Sequence, residues 1–304
     1  MNQQSQQWRG STGGGKFGQK SLFFALRKIP VFVLYPILYV VVPFYMLFSR
    51  NRYKSIMRYY RQCFHLSAGK AFWQTYCNHL VFGQIVLDKF AVLAGNIKQF
   101  SIETSGKSYF DDLAAKDSGF IIASSHIGNF EFAGFFFHQN QKPLHALIYD
   151  GEAPQLRKIR TQAMQDANIH PISVKNDMSH LFTLKQALES GEIITIACDR
   201  IFGSTKTVKC DFLENEACFP LAPFRLAVQM DVPVVSLFVM KSSYKKYHAY
   251  IFPVEVSSSE LHPARKAEQL ALQFVQNCEN IVRKYPLQWF NYYDFWDTTN
   301  INQN

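Results

Sequence analysis

Twenty consecutive uncharged residues, IPVFVLYPILYVVVPFYMLF from Ile29 to Phe48, constrain this chain more than any other stretch. A helix of that length just spans the hydrocarbon of a bilayer, whereas soluble helices seldom run so far without a polar face. Arg27 and Lys28 precede the run, and Arg50, Arg52, Lys54 and Arg58 follow it. The basic stretch ahead is long and no small-residue cleavage site comes before the later cations, so a cleaved signal peptide is not expected. Pro30, Pro36 and Pro43 would bend a spanning helix, and Tyr35, Tyr39 and Tyr45 suit an interface. A re-entrant or in-plane anchor is therefore as consistent as a full span, with a buried hairpin of a soluble core as the plain alternative.

Charge is distributed as unevenly as hydropathy. Residues 1–87 hold eleven Lys and Arg and no acid before Asp88, while the rest of the chain carries 21 basic and 23 acidic residues. A basic end of this kind meets an anionic surface. Cations placed around an apolar run favour a membrane leaflet and argue against nucleic acid. Residues 1–20, rich in Gln, Ser and Gly, cannot pack a core and are expected to form a disordered basic tail. The anchor then occupies 21–50 and a globular region 51–304, where 48% hydrophobic content over the chain suffices for a sizeable core. Six cysteines without a CxxC pair encode neither a zinc knuckle nor a disulfide framework, which fits a reducing compartment.

Past the anchor, broad apolar faces predict helix from about 52 to 98. The pattern then changes to short apolar runs at 119–126, 144–150, 168–174, 192–198, 232–240 and 247–254, which read as strands. Helical stretches at about 128–140, 154–167, 178–190, 221–230 and 263–284 separate most of them. Strands alternating with helices predict an α/β fold, a mostly parallel sheet flanked by helices and preceded by a hydrophobic anchor and a helical region. The last two strands are close enough to pair as an antiparallel hairpin.

In such a sheet, chemistry belongs where strands end. The run GFIIASSH ends at His126, followed by Gly128, Asn129 and Glu131. Five residues along a helix turn through about 500 degrees, so His126 and Glu131 cannot share a helical face. With His126 in the turn, Gly128 bending the chain and Glu131 in the first helical turn, the carboxylate could fold back onto the imidazole. Glu131 would then hold one ring N–H while the other nitrogen takes a proton from an acceptor hydroxyl. The helix start after Gly128 would suit an oxyanion. Equally, His126 could be a strand-end residue and Glu131 an acid favouring the helix dipole; spacing alone leaves both readings open.

SSHIGNFEFAG resembles the histidine, four residues, acid motif of the glycerolipid acyltransferase superfamily, and more closely the H-x-G-N-W/F-E form of the bacterial lipid A late acyltransferases. ACDRIFG (197–203), FPLAPFRLAVQMDVPVV (219–235) and PLQWFNYYDFW (286–296) resemble that family's D-Q-x-x-G, T-P-x-G-P and P-x-Q-W segments, in order. The resemblance implies catalytic His126 and Glu131, an acyl carrier protein thioester as donor and a membrane glycolipid hydroxyl as acceptor. It implies no cofactor, and a place on the bacterial inner membrane with the catalytic domain on the cytoplasmic side. Asn129, Arg160, Asp199 and Arg200 would line the acceptor or donor-phosphate site. Arg200 stands where the family has Gln, and CDFLENEACF (210–219) lacks the glycine of F-F-G-x-x-A, departures that bear on the acceptor: another glycolipid, an aminolipid, a lysophospholipid or a polyene lipid.

Other residues read more plainly. Cys198 is expected as inert packing rather than a nucleophile, and His138 and His145 as surface or packing residues. No metal-ligand spacing is present, so no metal is expected. Most phenylalanines are core, a minority guiding an acyl chain. Asp177, Asp211 and Glu214 read as solvated loop acids, and Lys241, Lys245 and Lys246 as a solvated basic turn or a landing place for an acidic carrier. An esterase is disfavoured because no G-x-S-x-G elbow occurs. A non-catalytic membrane-binding module remains as a rival, which loss of His126 would leave intact. A histidine base also requires activity to fall as pH drops through the imidazole range.

Overall fold

The computed structural model describes residues 26, 28–136, 142–148, 154–174, 179–201, 206–256 and 261–296. The expected tail over 1–20, and His138, Asp177 and Gly203, lie outside them. After a 3-10 turn at Val31–Leu34 come α1 (Tyr35–Phe48), α2 (Arg50–Cys63) and α3 (Ala68–Leu93). Pro30 precedes the turn and Pro36 lies at the start of α1, where a missing N–H costs nothing, so of the three prolines only Pro43 is inside a helix. Val31–Phe48 is a helical run of 18 residues with mean hydropathy 2.2, long and apolar enough to cross a membrane, and only 22% of it is buried. The single helix expected over 52–98 is interrupted between Cys63 and Ala68, where His65 takes a φ of 50°. α1 runs antiparallel to α3, with Leu38 against Gly83 and Val42 clustered with Leu80, and α2 meets α3 where Tyr53 contacts Phe72.

The remaining elements alternate. β1 (Ser101–Ser105), α4 (Lys107–Ala114), β2 (Phe120–Ser124), α5 (Phe132–Phe136), β3 (Leu144–Ile148), α6 (Pro154–Asp166), β4 (Ile169–Ser173), α7 (Ser179–Glu189) and β5 (Ile193–Ala197) lead to a hairpin of β6 (Thr207–Phe212) and β7 (Asn215–Pro220). α8 (Ala222–Met230), β8 (Val234–Lys241), β9 (Lys246–Val254) and α9 (Pro263–Lys284) follow, with a 3-10 turn at Pro286–Gln288. Seven strands form one sheet in the order β1-β9-β8-β2-β5-β3-β4. Neighbours are parallel except β8 and β9, the antiparallel pair expected from the sequence.

β2 and β8 are buried along their whole length, which explains why they read as continuous apolar runs rather than alternating ones. Their side chains divide between two cores. Ile121, Ala123, Phe238 and Met240 join α8 and α9 on one face, whereas Phe120, Ile122, Leu237 and Val239 join α4 and α5 on the other. The sheet is therefore the middle layer of an α/β sandwich, and β2, flanked by β5 and β8, lies at its centre. β1 and the β6–β7 hairpin were not expected. Asp211, read as a loop acid, is in β6, and Glu214 is in the turn that follows.

Candidate active site

The register of two parallel strands brings His126 and Asp199 together. Ser124 of β2 pairs with Ala197 of β5, and the ladder continues as Cys198 N–H donates to the Ser124 carbonyl at 2.8 Å. His126 and Asp199 each follow two residues on, so they emerge side by side at the carboxyl edge although 73 positions separate them. Asp199 holds the histidine twice: Oδ1 lies 2.8 Å from Nδ1, and Oδ2 accepts the His126 backbone N–H at 2.8 Å. The imidazole is 22% exposed and the Asp199 side chain 6%. Burial works to raise the Asp199 carboxyl, but the charge and hydrogen bonds of His126, then the charge of Arg200, outweigh it and hold the group below the usual carboxylate range. An ionised Asp199 keeps the ring proton on Nδ1, which makes Nε2 the nitrogen available as a base.

This arrangement corrects the expected role of Glu131. Its carboxylate does not hold a ring N–H; Lys89 of α3 binds it at 2.7 Å. Burial raises the Glu131 carboxyl, yet Lys89 first, then Arg160 and His126, bring it below its ordinary value, so Glu131 is an ionised neighbour of the imidazole. Lys89 was not anticipated, because nothing near it in sequence marks it as part of a site.

The turn between them is tightly held. Gly128 takes a φ of 61°, and an added Cβ would meet the Val239 carbonyl and lie 2.8 Å from Met240 Sδ. Gly128 N–H donates to the Gln288 carbonyl and Asn129 N–H to the Val239 carbonyl, both at 2.7 Å. Those two amides are therefore spent on the fold and are not donors for an oxyanion at this turn. Asn129 was expected to line the substrate site; instead it is buried, and its Nδ2 donates to Tyr247 Oη at 3.4 Å.

The C-terminal segment clamps this turn from the other side. Ile127 bridges to Trp289, and Phe290 N–H donates to the His126 carbonyl at 3.0 Å. The Gln288 side chain accepts the Lys241 N–H at 2.9 Å and donates to the Lys241 carbonyl at 2.8 Å. Trp289 is buried among Tyr59, Phe212 and Phe295. The P-x-Q-W segment is thus a strap over the His126–Asn129 turn. Arg200 also reaches the strap, with Nη2 at 3.5 Å from the Phe290 carbonyl and its guanidinium over the Tyr293 ring. Arg160, on α6, is buried and acts electrostatically on Glu131.

Lys241 is not the solvated cation expected. It is buried against Asp88, which also accepts the hydroxyls of Tyr35 and Tyr247. Burial drives the Asp88 carboxyl up and the Lys241 ammonium down, and the mutual attraction opposes both shifts. Through Tyr247 this group reaches Asn129 and the turn after His126; through Tyr35 it reaches α1. Cys198 is fully buried, and burial pushes its thiol well up, in keeping with packing. His145 lies 2.6 Å from Glu192 and stacks on His170, near the amino ends of β3 and β4 and away from His126.

The family model for bacterial lipid A biosynthesis acyltransferases matches residues 82–297, from the second half of α3 through the strap. No curated protein matches the chain.

Proposed function

The chain belongs to the bacterial lipid A biosynthesis acyltransferase family and is therefore an O-acyltransferase, and from that premise we propose that it uses His126 as general base to acylate a hydroxyl of a membrane glycolipid such as a lipid A precursor. The donor is a fatty acyl thioester on acyl carrier protein. The observation that carries the reading is the double hold of Asp199 on His126, which fixes the tautomer a base requires. The acceptor O–H gives its proton to Nε2 as its oxygen attacks the thioester carbonyl. The imidazolium so formed is stabilised by Asp199 through Nδ1–H and by the nearby charge of Glu131, which Lys89 keeps ionised. Collapse of the tetrahedral intermediate breaks the C–S bond, and the proton on Nε2 leaves with the thiolate. No enzyme nucleophile is needed.

Arg160 and Arg200 place positive charge beside the pair, suited to the phosphate of an acceptor or donor. The apolar run over 29–48 anchors the α/β region to the bacterial inner membrane, on the cytoplasmic face where acyl carrier protein is found. To test the donor and acceptor, labelled acyl carrier protein and labelled acyl coenzyme A are offered in turn to the detergent-solubilised protein with membrane lipid extract. Label entering a glycolipid from the carrier protein supports the reading, and the mass of the product identifies the acceptor. Transfer from coenzyme A alone, or to a phosphate-free lipid, would overturn the donor or acceptor assignment while leaving the base intact.

A further inference from the structure

We propose that the cationic groove on α2 binds the phosphate of an anionic phospholipid and seats this helix at the headgroup level of a membrane. α2 packs one side inward: Ile56, Tyr59, Tyr60 and Cys63 are buried, and both tyrosine hydroxyls donate to the Pro286 carbonyl, at 3.1 and 3.0 Å. Arg50, Lys54, Arg58 and Arg61 are exposed. Together with Tyr53, Met57 and His65, the last three of these line an open groove of about 690 Å³. Arg58 pairs with Asp294 and His65 with Glu214, but among the described residues Lys54 and Arg61 have no acidic partner.

The surface beside the groove identifies the occupant. Val40, Phe44, Leu47 and Phe48 of α1 are 58–85% exposed, and Phe72 and Trp73 of α3 are 51% and 59% exposed. α1 packs against α3 through Leu38, Val42 and Leu80, and the Tyr53–Phe72 ring contact, 6.3 Å between centroids, puts exposed Phe72 beside the groove. A phospholipid has this pattern in reverse: an anionic phosphate beside apolar chains, with an interface favourable to Trp and Tyr. An acidic protein would match the cations but leave the adjoining apolar surface in water. The inference concerns membrane seating and is independent of the acyl-transfer reading.

Native mass spectrometry of the full chain released from detergent, with phosphatidylglycerol or phosphatidylcholine added, tests it without reading activity. The wild type is expected to retain phosphatidylglycerol in preference to phosphatidylcholine, and to lose it as salt rises. Lys54→Gln/Arg61→Gln, two exposed changes, is expected to retain it at least about tenfold more weakly, from the attraction of each cation to an anionic leaflet. Equal retention of the two lipids by the wild type, or unchanged phosphatidylglycerol retention by the double variant, would overturn the proposal. A double variant that keeps the lipid but loses capture of acyl carrier protein would mean that the groove docks protein instead, and would overturn it as well.

Discussion

Replacing Asp199 by Asn removes one charge and almost no volume, yet the structure leaves the amide no satisfactory orientation. In the wild type both carboxylate oxygens accept hydrogen bonds, one from Nδ1–H and one from the His126 backbone N–H, each at 2.8 Å. An amide has one acceptor. With its oxygen toward the ring, its NH2 faces the backbone N–H, and two buried donors oppose each other at a cost of about 1–3 kcal/mol. With its oxygen toward the backbone, its NH2 donates to Nδ1, and the ring proton moves to Nε2, the nitrogen that must accept the substrate proton. The second orientation keeps the fold and blocks the base. A wrong histidine tautomer of this kind lowers turnover by ~10⁴ in the serine-protease triad, which corresponds to about 5 kcal/mol of barrier. Asp199→Asn is therefore expected to keep a cooperative melting transition while its kcat for acyl transfer falls by on the order of 10³ to 10⁴. A variant retaining more than about a tenth of wild-type turnover would refute the tautomer argument.

Four further outcomes follow from the geometry. Gly128→Ala should lower stability by about 1–2 kcal/mol for the left-handed backbone and turnover by about a hundredfold as the turn moves away from the Val239 carbonyl, read by denaturant titration and initial rates. Lys241→Met leaves Asp88 buried without its cation and should cost about 3–5 kcal/mol; Lys241→Met with Asp88→Asn should recover much of that, and a single variant as stable as wild type would contradict the buried pair. Asp199 and Glu131 both titrate below their ordinary values when folded, so the stability they contribute is present above about pH 4 and is lost as pH falls through the lower folded values. The melting-temperature gap between wild type and Asp199→Asn should narrow on going from pH 6 to about pH 3. Glu214→Gly should raise the melting temperature, because Glu214 has a φ of 65° in a two-residue hairpin turn whose conformation glycine adopts freely.

That last position shows how sequence and structure meet. FLENEA (212–217) lines up with the F-F-G-x-x-A pattern, and the residue in the glycine place still takes the left-handed conformation. The departure visible in the sequence is thus a strained turn at the tip of a hairpin. The hairpin itself was hidden because Leu213–Glu214 carries none of the usual turn residues. β1 was missed for another reason: SIETS is an edge strand whose residues alternate between exposed and half-buried, with no apolar run to mark it. The central strands were legible because burial on both faces makes them uniformly apolar. Local spacing also disclosed the turn at Gly128, but not which carboxylate meets His126. Asp199 is brought there by the β2–β5 register, and Lys89 draws Glu131 away across 42 residues; neither fact is local. Lys241 misled for the same reason, since its partner Asp88 lies 153 positions upstream.

The role of His126 is tested most directly by one rate: acyl transfer from acyl carrier protein to the lipid acceptor by His126→Ala, compared with wild type in the same mixed micelles. Loss of transfer by at least about a hundredfold in a folded variant is the expected result for a missing general base. Transfer at the wild-type rate would contradict the assignment of His126 as the base and would place the proton acceptor on another residue.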